Sequence, residues 1–176
     1  QILMKQSGLG MSRVEQAKET LLRFKSNIDV ITINENFSEE NASKLVAMAD
    51  IVFDCAPLFE ERFLMNRECV RQNKPLVDCA MFNLEGQLMN IIPGVTPCLQ
   101  CVFPEKPPHW KRKFPVLGAV ASLVASLGAL QGIKIIAGMP NILLNQMLYV
   151  NSDTLTFRKI PIQKNLNCKI CSHLTN

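Results

Sequence analysis

The sequence predicts an α/β fold, in which helices flank a parallel or mixed sheet and a zinc ion staples the C-terminal region. Three observations support this prediction. The first half alternates amphipathic helical segments with short apolar runs, which is typical of crossovers between parallel strands. Two Cys-x-x-Cys pairs, Cys98 with Cys101 and Cys168 with Cys171, offer four thiolates to one tetrahedral ion. The 176 residues, 48% of them hydrophobic, suffice for one domain with a buried core.

The elements of the first half follow from periodicity and turn signals. Ser12 and Glu15 have the spacing of a helix capping box, and apolar residues then recur at helical intervals. The apolar run over residues 50–55 is expected to be a strand buried on both faces. The predicted order is a helix over 12–27, a strand over 29–33, a helix over 38–49, a strand over 50–55, a helix over 58–72 and a strand over 76–80.

The second half has a different pattern. A proline-rich, basic loop over residues 103–115 precedes 20 uncharged residues, 114–133, which on length alone could span a bilayer. Serines, Gln131 and several glycines dilute this segment, so a helix packed on the sheet or on a partner subunit is favoured and no membrane is expected. The other elements are a strand over 87–92, a turn at 93–94 and a hairpin of strands 147–150 and 154–160.

The cysteines and the charge limit the function classes. Zinc held by four thiolates has no open position, so this site is expected to be structural; two disulfides or free thiols are the alternatives. Cys55, Cys69 and Cys79 lack a matching spacing and are expected to be free thiols in a reducing, cytoplasmic compartment. A net charge of +4 and 6% aromatic residues give little support to a nucleic-acid-binding module.

In this order, the motifs resemble the ThiF/MoeB/HesA family, which is related to the ubiquitin-activating enzymes. The resemblance implies a Rossmann-like fold and a homodimer. It rests on residues 1–2, 10–17, 50–55, Arg62 with Asn66, 74–77, 96–104 and 118–131.

The implied activity is adenylation. The C-terminal carboxylate of a small ubiquitin-like or sulfur-carrier protein attacks ATP-magnesium, giving an acyl-adenylate and pyrophosphate. Such an enzyme must hold a polyphosphate and align the carboxylate with the α-phosphorus. The family's glycine-rich nucleotide loop would precede Gln1, so residues 1–176 are expected to be the C-terminal portion of a longer domain and, alone, inactive.

Several positions match or depart from the family pattern. Arg13 stands where the family has a phosphate-binding lysine, and Asp54 ends a strand at the expected ligand edge; an exposed residue and a turn cap are the respective alternatives. Arg62 is expected either to pair with a carboxylate or to be solvated. Pro57 stands where the family has a magnesium-binding Asp, and residues 111–115 lack the thioester cysteine of some relatives. A degenerate subunit that scaffolds a ubiquitin-like partner is therefore the alternative function.

Overall fold

The computed structural model describes residues 2–108 and 110–174 and divides into two compact units, Gln1–Phe37 and Ser38–Asn176. The N-terminal unit contains a short 3-10 helix, Gln6–Gly8, and helix α1, Arg13–Phe24. Ser12 precedes α1, but its side chain makes no capping hydrogen bond, so the predicted capping box is wrong. The buried Gln16 side chain instead ties α1 to the preceding turn, because its Nε2 donates to the Gly8 carbonyl at 2.8 Å.

The strand predicted over residues 29–33 is also wrong, since this segment is irregular. A strand is stable only when its backbone groups pair with a neighbour. None of the described residues pairs with 29–33 in a ladder, and the Thr32 hydroxyl donates to the Glu15 carboxylate instead. The apolar run over residues 29–33 is therefore not part of the sheet.

The C-terminal unit is built on a mixed five-stranded sheet with the order β1-β2-β3-β4-β5. Strands β1 and β2 are parallel, with Asp54 opposite Asp78, and the other neighbours are antiparallel. This confirms the mixed sheet and the late hairpin. The strands are β1 Val52–Asp54, β2 Leu76–Phe82, β3 Glu85–Ile91, β4 Gln146–Asn151 and β5 Thr156–Pro161; the helices are α2 Ala42–Ala47, α3 Phe59–Arg71, α4 Leu99–Val102 and α5 Gly118–Ile136, with a 3-10 turn at Ser172–Leu174.

Alternation along β2 assigns one helix to each face of the sheet. Val77 and Cys79 belong to a buried cluster with α5, whereas Asp78, on the opposite face, contacts α3. Gly128 brings α5 close, because a Cβ there would lie 2.3 Å from the Cys79 sulfur. The expectation that small residues let this helix approach the sheet is confirmed.

Strand β1 is less buried than predicted. Phe53 is 42% exposed and Val52 is half-buried, so the prediction of a strand buried on both faces is wrong. The reason is position: β1 pairs only with β2 and forms an edge of the described sheet. Asp54 alone is fully buried, because it turns toward α3.

Helix α5 is also the one described helix that is long and apolar enough to cross a membrane by length and composition. Its inward residues, Val120, Val124, Gly128 and Gly132, are buried. Outward residues remain apolar and exposed, with Leu130 at 51% and Ile133 at 60%. That the helix lies outside a membrane therefore stays a prediction.

Candidate functional site

The four paired cysteines converge at one place. The sulfurs of Cys98, Cys101, Cys168 and Cys171 all lie within 4.8 Å of one another. Cys98 is 3.6 Å from Cys168, and Cys101 is 3.4 Å from Cys171. Zinc–sulfur bonds of about 2.3 Å in a tetrahedron require sulfurs about 3.8 Å apart, whereas a disulfide requires about 2.0 Å. The cluster therefore has the donor set and the spacing for a metal ion such as zinc.

Local hydrogen bonds hold the cluster's two halves. Cys98 immediately precedes α4 and Cys101 lies within it, and the N–H of Leu99 between them donates to Asn66 Oδ1 on α3 at 3.0 Å. From the C-terminal side, the Asn165 N–H donates to the Cys101 sulfur at 3.4 Å. Because Asn66 is fully buried, α3 fixes the first cysteine pair from inside the unit.

Burial and crowding oppose the ionisation of several of these thiols. Burial raises the pKa of Cys98, and the neighbouring thiols add to this effect. Burial and a hydrogen bond with Cys101 raise the pKa of Cys171 to about 11. For Cys168, burial acts upward, but N–H groups of Ile170 and Cys171 and neighbouring thiols lower the pKa overall. A divalent cation supplies the positive charge that four adjacent thiolates lack.

A second buried cluster lies between β1, β2 and α3. The Arg62 guanidinium donates to Asp54 Oδ2 at 3.3 Å and to Asp78 Oδ1 at 2.6 Å. All three residues are 0–1% exposed, and Arg62 also lies 4.7 Å over the Phe59 ring. Of the two alternatives stated for Arg62, pairing with a carboxylate is confirmed. Asp78, which the sequence analysis did not select, completes the cluster because it is opposite Asp54 in the sheet.

The charges in this cluster do not balance when both carboxyl groups are ionised. Burial and the negative charge of Asp78 raise the pKa of Asp54 to about 8, against the opposing effect of Arg62. One carboxyl group therefore keeps its proton near neutral pH. Asp54 Oδ1 also accepts the Ala56 N–H at 2.9 Å, so both of its oxygens are engaged in the turn and the ion pair.

Two adjoining cavities lie beyond this cluster, at the carboxyl ends of β1 and β2, where open α/β sheets bind ligands. Their volumes are about 250 and about 290 Å³, and both are lined by Arg62, Ala80, Met81 and Trp110. The Trp110 indole N–H donates to the Pro57 carbonyl at 2.8 Å, and its ring packs on Phe59 and Phe114 at 5.2 Å. The proline-rich loop is thereby fixed over the cavities.

Trp110 is another residue that sequence reasoning missed. It stands alone in a polar, basic loop, and no spacing indicates that it meets aromatic residues from α3, β2 and the end of its own loop. The neighbouring Lys111, Arg112 and Lys113 are exposed, as expected for a solvated loop. His109 and Gln1 lie outside the described residues.

The predicted nucleotide residues have different environments. Arg13 is exposed at the first position of α1, within the N-terminal unit. Asp54 is buried in the Arg62 cluster at the ligand edge. Pro57 contributes a carbonyl to Trp110 and, as anticipated, offers no carboxylate. Nucleotide contact by Arg13 and Asp54 stays a prediction.

The sheet, its flanking helices and the four-cysteine cluster define an α/β Rossmann-like domain with a cluster that could hold a metal ion. A comparison of the sequence with known protein families identifies the family of this domain. The ThiF family matches residues 1–170, and the chain belongs to this family.

Curated relatives match almost the whole chain but are longer. Protein HesA of Nostoc sp. is 44% identical over 173 residues, which are 98% of this chain and 69% of that protein. Heterocyst protein HesA of Trichormus variabilis is 43% identical, over 98% of this chain and 65% of its own length. The adenylyltransferase and sulfurtransferase MOCS3 of Drosophila ananassae is 32% identical, over 98% of this chain and 39% of its own length.

A solved structure agrees in fold. A crystal structure of E. coli MccB with MccA-N7isoASN superposes with a TM-score of 0.81 at 26% identity. It covers 97% of this chain and 54% of the MccB chain. This chain thus spans about two thirds of the HesA proteins and about half of MccB.

Proposed function

We propose that the complete protein is an ATP-dependent adenylyltransferase that activates the C-terminal carboxylate of a small ubiquitin-like protein, sulfur-carrier protein or peptide. The observation that carries this proposal is the ThiF match over residues 1–170, together with a 32% identical relative named as an adenylyltransferase. A structure of E. coli MccB with ATP, at 24% identity and a TM-score of 0.79, agrees with the fold such a reaction uses. ATP and magnesium would be substrate and ion of the complete protein.

The cavities at the carboxyl ends of β1 and β2 suit the acceptor's tail. Their walls are mostly apolar and aromatic, with Phe59, Phe82 and Trp110 on one side. Arg62 also lines both cavities, but its guanidinium is 1% exposed and is already paired with Asp54 and Asp78. The apolar walls would therefore hold the side chains of the acceptor's tail, which would leave water on entering.

Zinc in the four-cysteine cluster would be structural. When bound, the ion would supply a cross-link between α4 and the C-terminal turn. Cys98, Cys101, Cys168 and Cys171 would hold it with no open coordination position for a substrate. The adenylation reaction would then take place away from the zinc ion, at the carboxyl ends of β1 and β2.

ATP–pyrophosphate exchange tests the proposed activity. We expect the complete protein to exchange labelled pyrophosphate into ATP only with a suitable acceptor. The same acceptor with a C-terminal carboxamide should be inactive, because an amide cannot attack the α-phosphorus as a carboxylate does. Ala80→Leu, which adds bulk beside both cavities, should raise the KM for the acceptor more than the KM for ATP.

One outcome would contradict this assignment, and another would contradict the expected position of the nucleotide loop. Acceptor binding without exchange would support a catalytically degenerate scaffold instead, as the Pro57 departure also allows. Exchange by residues 1–176 alone would show that the nucleotide loop does not have to precede Gln1, contrary to the sequence-based expectation.

The protein is proposed to form a homodimer in the cytoplasm. Support for the dimer comes from the outward face of α5, where Leu130 and Ile133 are more than half exposed. We expect Ile133→Asp to convert a dimer into monomers in sedimentation velocity without detergent, whereas Lys134→Asp, next to it, should have less effect. A wild-type monomer at micromolar concentration would contradict the dimer.

A further inference from the structure

Two cysteines outside the four-cysteine cluster form a pair of their own. Asp54 lies opposite Asp78 at the end of the parallel ladder of β1 and β2, and Cys55 and Cys79 directly follow these two residues. Both cysteines line one cavity, and the Cys79 thiol acts as the hydrogen-bond donor that influences the pKa of Cys55. The two are far apart in sequence, and no spacing rule connects them.

The environments of the two sulfurs differ. Cys55 is exposed and lines the larger of the two cavities, whereas Cys79 is 9% exposed and packs beneath Gly128 of α5. The hydrogen bond from Cys79 lowers the pKa of Cys55 to about 7, with Arg62 acting in the same direction and burial and Asp78 acting against it. The same hydrogen bond and burial raise the pKa of Cys79. Near neutral pH the pair therefore holds an accessible thiolate beside a protected thiol.

The backbone spacing permits a bond between these sulfurs. Neighbouring strands in a sheet run about 4.8 Å apart. A disulfide needs Cα atoms about 4.4–6.8 Å apart and Cβ atoms on the same side. Cys55 and Cys79 meet the second condition, because both line the cavity on the α5 face of the sheet. Side-chain rotation can thus bring the sulfurs together without moving the strands.

We propose that Cys55 and Cys79 are a redox modification site, at which a hydroperoxide oxidises the two thiols to a disulfide. The Cys55 thiolate attacks the terminal peroxide oxygen, the O–O bond breaks, and alkoxide leaves (hydroxide in the case of hydrogen peroxide), so that Cys55 becomes a sulfenic acid. The Cys79 sulfur then attacks the Cys55 sulfur. The S–O bond breaks, the Cys79 proton goes to the leaving oxygen, and water is released. The peroxide gains the two electrons that the sulfur pair loses.

Oxidation would change the wall of the cavity next to Arg62. The thiolate of Cys55 would disappear, and its sulfur would be drawn toward the buried Cys79. Cys55 is followed by Ala56 and Pro57, which also line this cavity and connect to Trp110. Formation of this disulfide does not require the adenylation activity.

Peptide mapping after peroxide treatment tests the site directly. The complete, zinc-supplemented protein is treated with equimolar hydrogen peroxide, remaining thiols are alkylated, and peptides are analysed by mass spectrometry. We expect a cross-linked peptide containing Cys55 and Cys79 that has lost two hydrogen atoms and is released by dithiothreitol. Cys69, a buried cysteine outside the pair, should remain a thiol.

Single substitutions distinguish the role of Cys55, which reacts with peroxide, from that of Cys79, which then forms the disulfide. Cys79→Ser should stop the reaction at a Cys55 sulfenic acid that dimedone traps. Cys55→Ser should leave Cys79 unmodified, and Cys69→Ser should form the disulfide as the wild type does; circular dichroism checks that each variant folds. Sulfinic acid on wild-type Cys55 without a cross-link, or a disulfide of Cys55 with any other cysteine, would overturn the proposal.

Discussion

Cys168→Ala is expected to remove zinc from the protein and to lower its free energy of unfolding by roughly 4 kcal/mol. The ion would join sulfurs 70 residues apart, from Cys98 to Cys168 and from Cys101 to Cys171. A cross-link over that separation restricts the unfolded chain by about 4 kcal/mol in the chain-entropy account. The variant lacks the fourth ligand of a closed structural site, so we expect it to lose the ion as the chain unfolds.

Cys69→Ala is the matched control for this loss. Cys69 is also buried, at 0% exposure, but lies on α3 outside the cluster. Both substitutions remove one cysteine sulfur from a buried position. For Cys69→Ala we expect the free energy of unfolding to fall by about 1 kcal/mol through lost packing, with one zinc ion still bound. Metal analysis by mass spectrometry gives the zinc content, and urea unfolding gives the stability.

A chelator provides an independent measurement. It should lower the wild type to the stability of Cys168→Ala and leave that variant unchanged, because both then lack the same cross-link. A wild type that contains no zinc, or that is equally stable with and without chelator, would show that the four sulfurs do not hold a structural ion. A disulfide within either Cys-x-x-Cys pair would do the same.

The sequence was sufficient to predict the convergence of these cysteines, because paired spacing carries that information without knowledge of the fold. The sequence also predicted the bounds of α3 and β2 closely. Strand β2 pairs with a neighbouring strand on each side, and α3 packs on the sheet, so both elements have the contacts that their sequence patterns require. Residues 29–33 and 50–55 were less predictable. Apolar character indicates an extended segment, but the number of neighbours decides whether it becomes a strand and how far it is buried.

The missed features all depend on contacts between distant parts of the chain. Asp78 and Cys79 acquire their roles only because β1 and β2 are in a particular register, which places them beside Asp54 and Cys55. Trp110 becomes part of a site because its loop returns over the sheet edge. Single residues of these types have no periodicity or spacing, so their partners become known only from the folded structure.

Arg62→Met is expected to lower the free energy of unfolding by about 3–5 kcal/mol at neutral pH. Methionine fills much of the volume but leaves Asp54 and Asp78 buried without a cation, each at 0% exposure. The cost is that of a stranded buried charge, since Asp78 Oδ2 already lacks a hydrogen-bond partner. Urea unfolding measured by circular dichroism gives the value.

Arg67→Met is the control on the same helix. Arg67 is 42% exposed and pairs with the exposed Glu39 and with Glu68, which is 8% exposed but keeps Arg71 as a second partner. Solvent and mobile side chains weaken such pairs, so the expected cost is below about 1 kcal/mol. Equal losses for Arg62→Met and Arg67→Met would contradict a special role for the buried cluster.

The pH dependence distinguishes stranded charge from lost packing. Without Arg62, the pKa of Asp54 in the folded state should rise further above its wild-type value of about 8, because the cation that opposes burial and the charge of Asp78 is gone. Both proteins hold this proton below about pH 7, and the wild type releases it first as pH rises through about 8. The deficit relative to wild type should therefore be nearly constant below about pH 7 and grow above about pH 8. Adding Asp54→Asn and Asp78→Asn to Arg62→Met should remove this pH dependence; a deficit that stays constant with pH would assign the loss to packing alone.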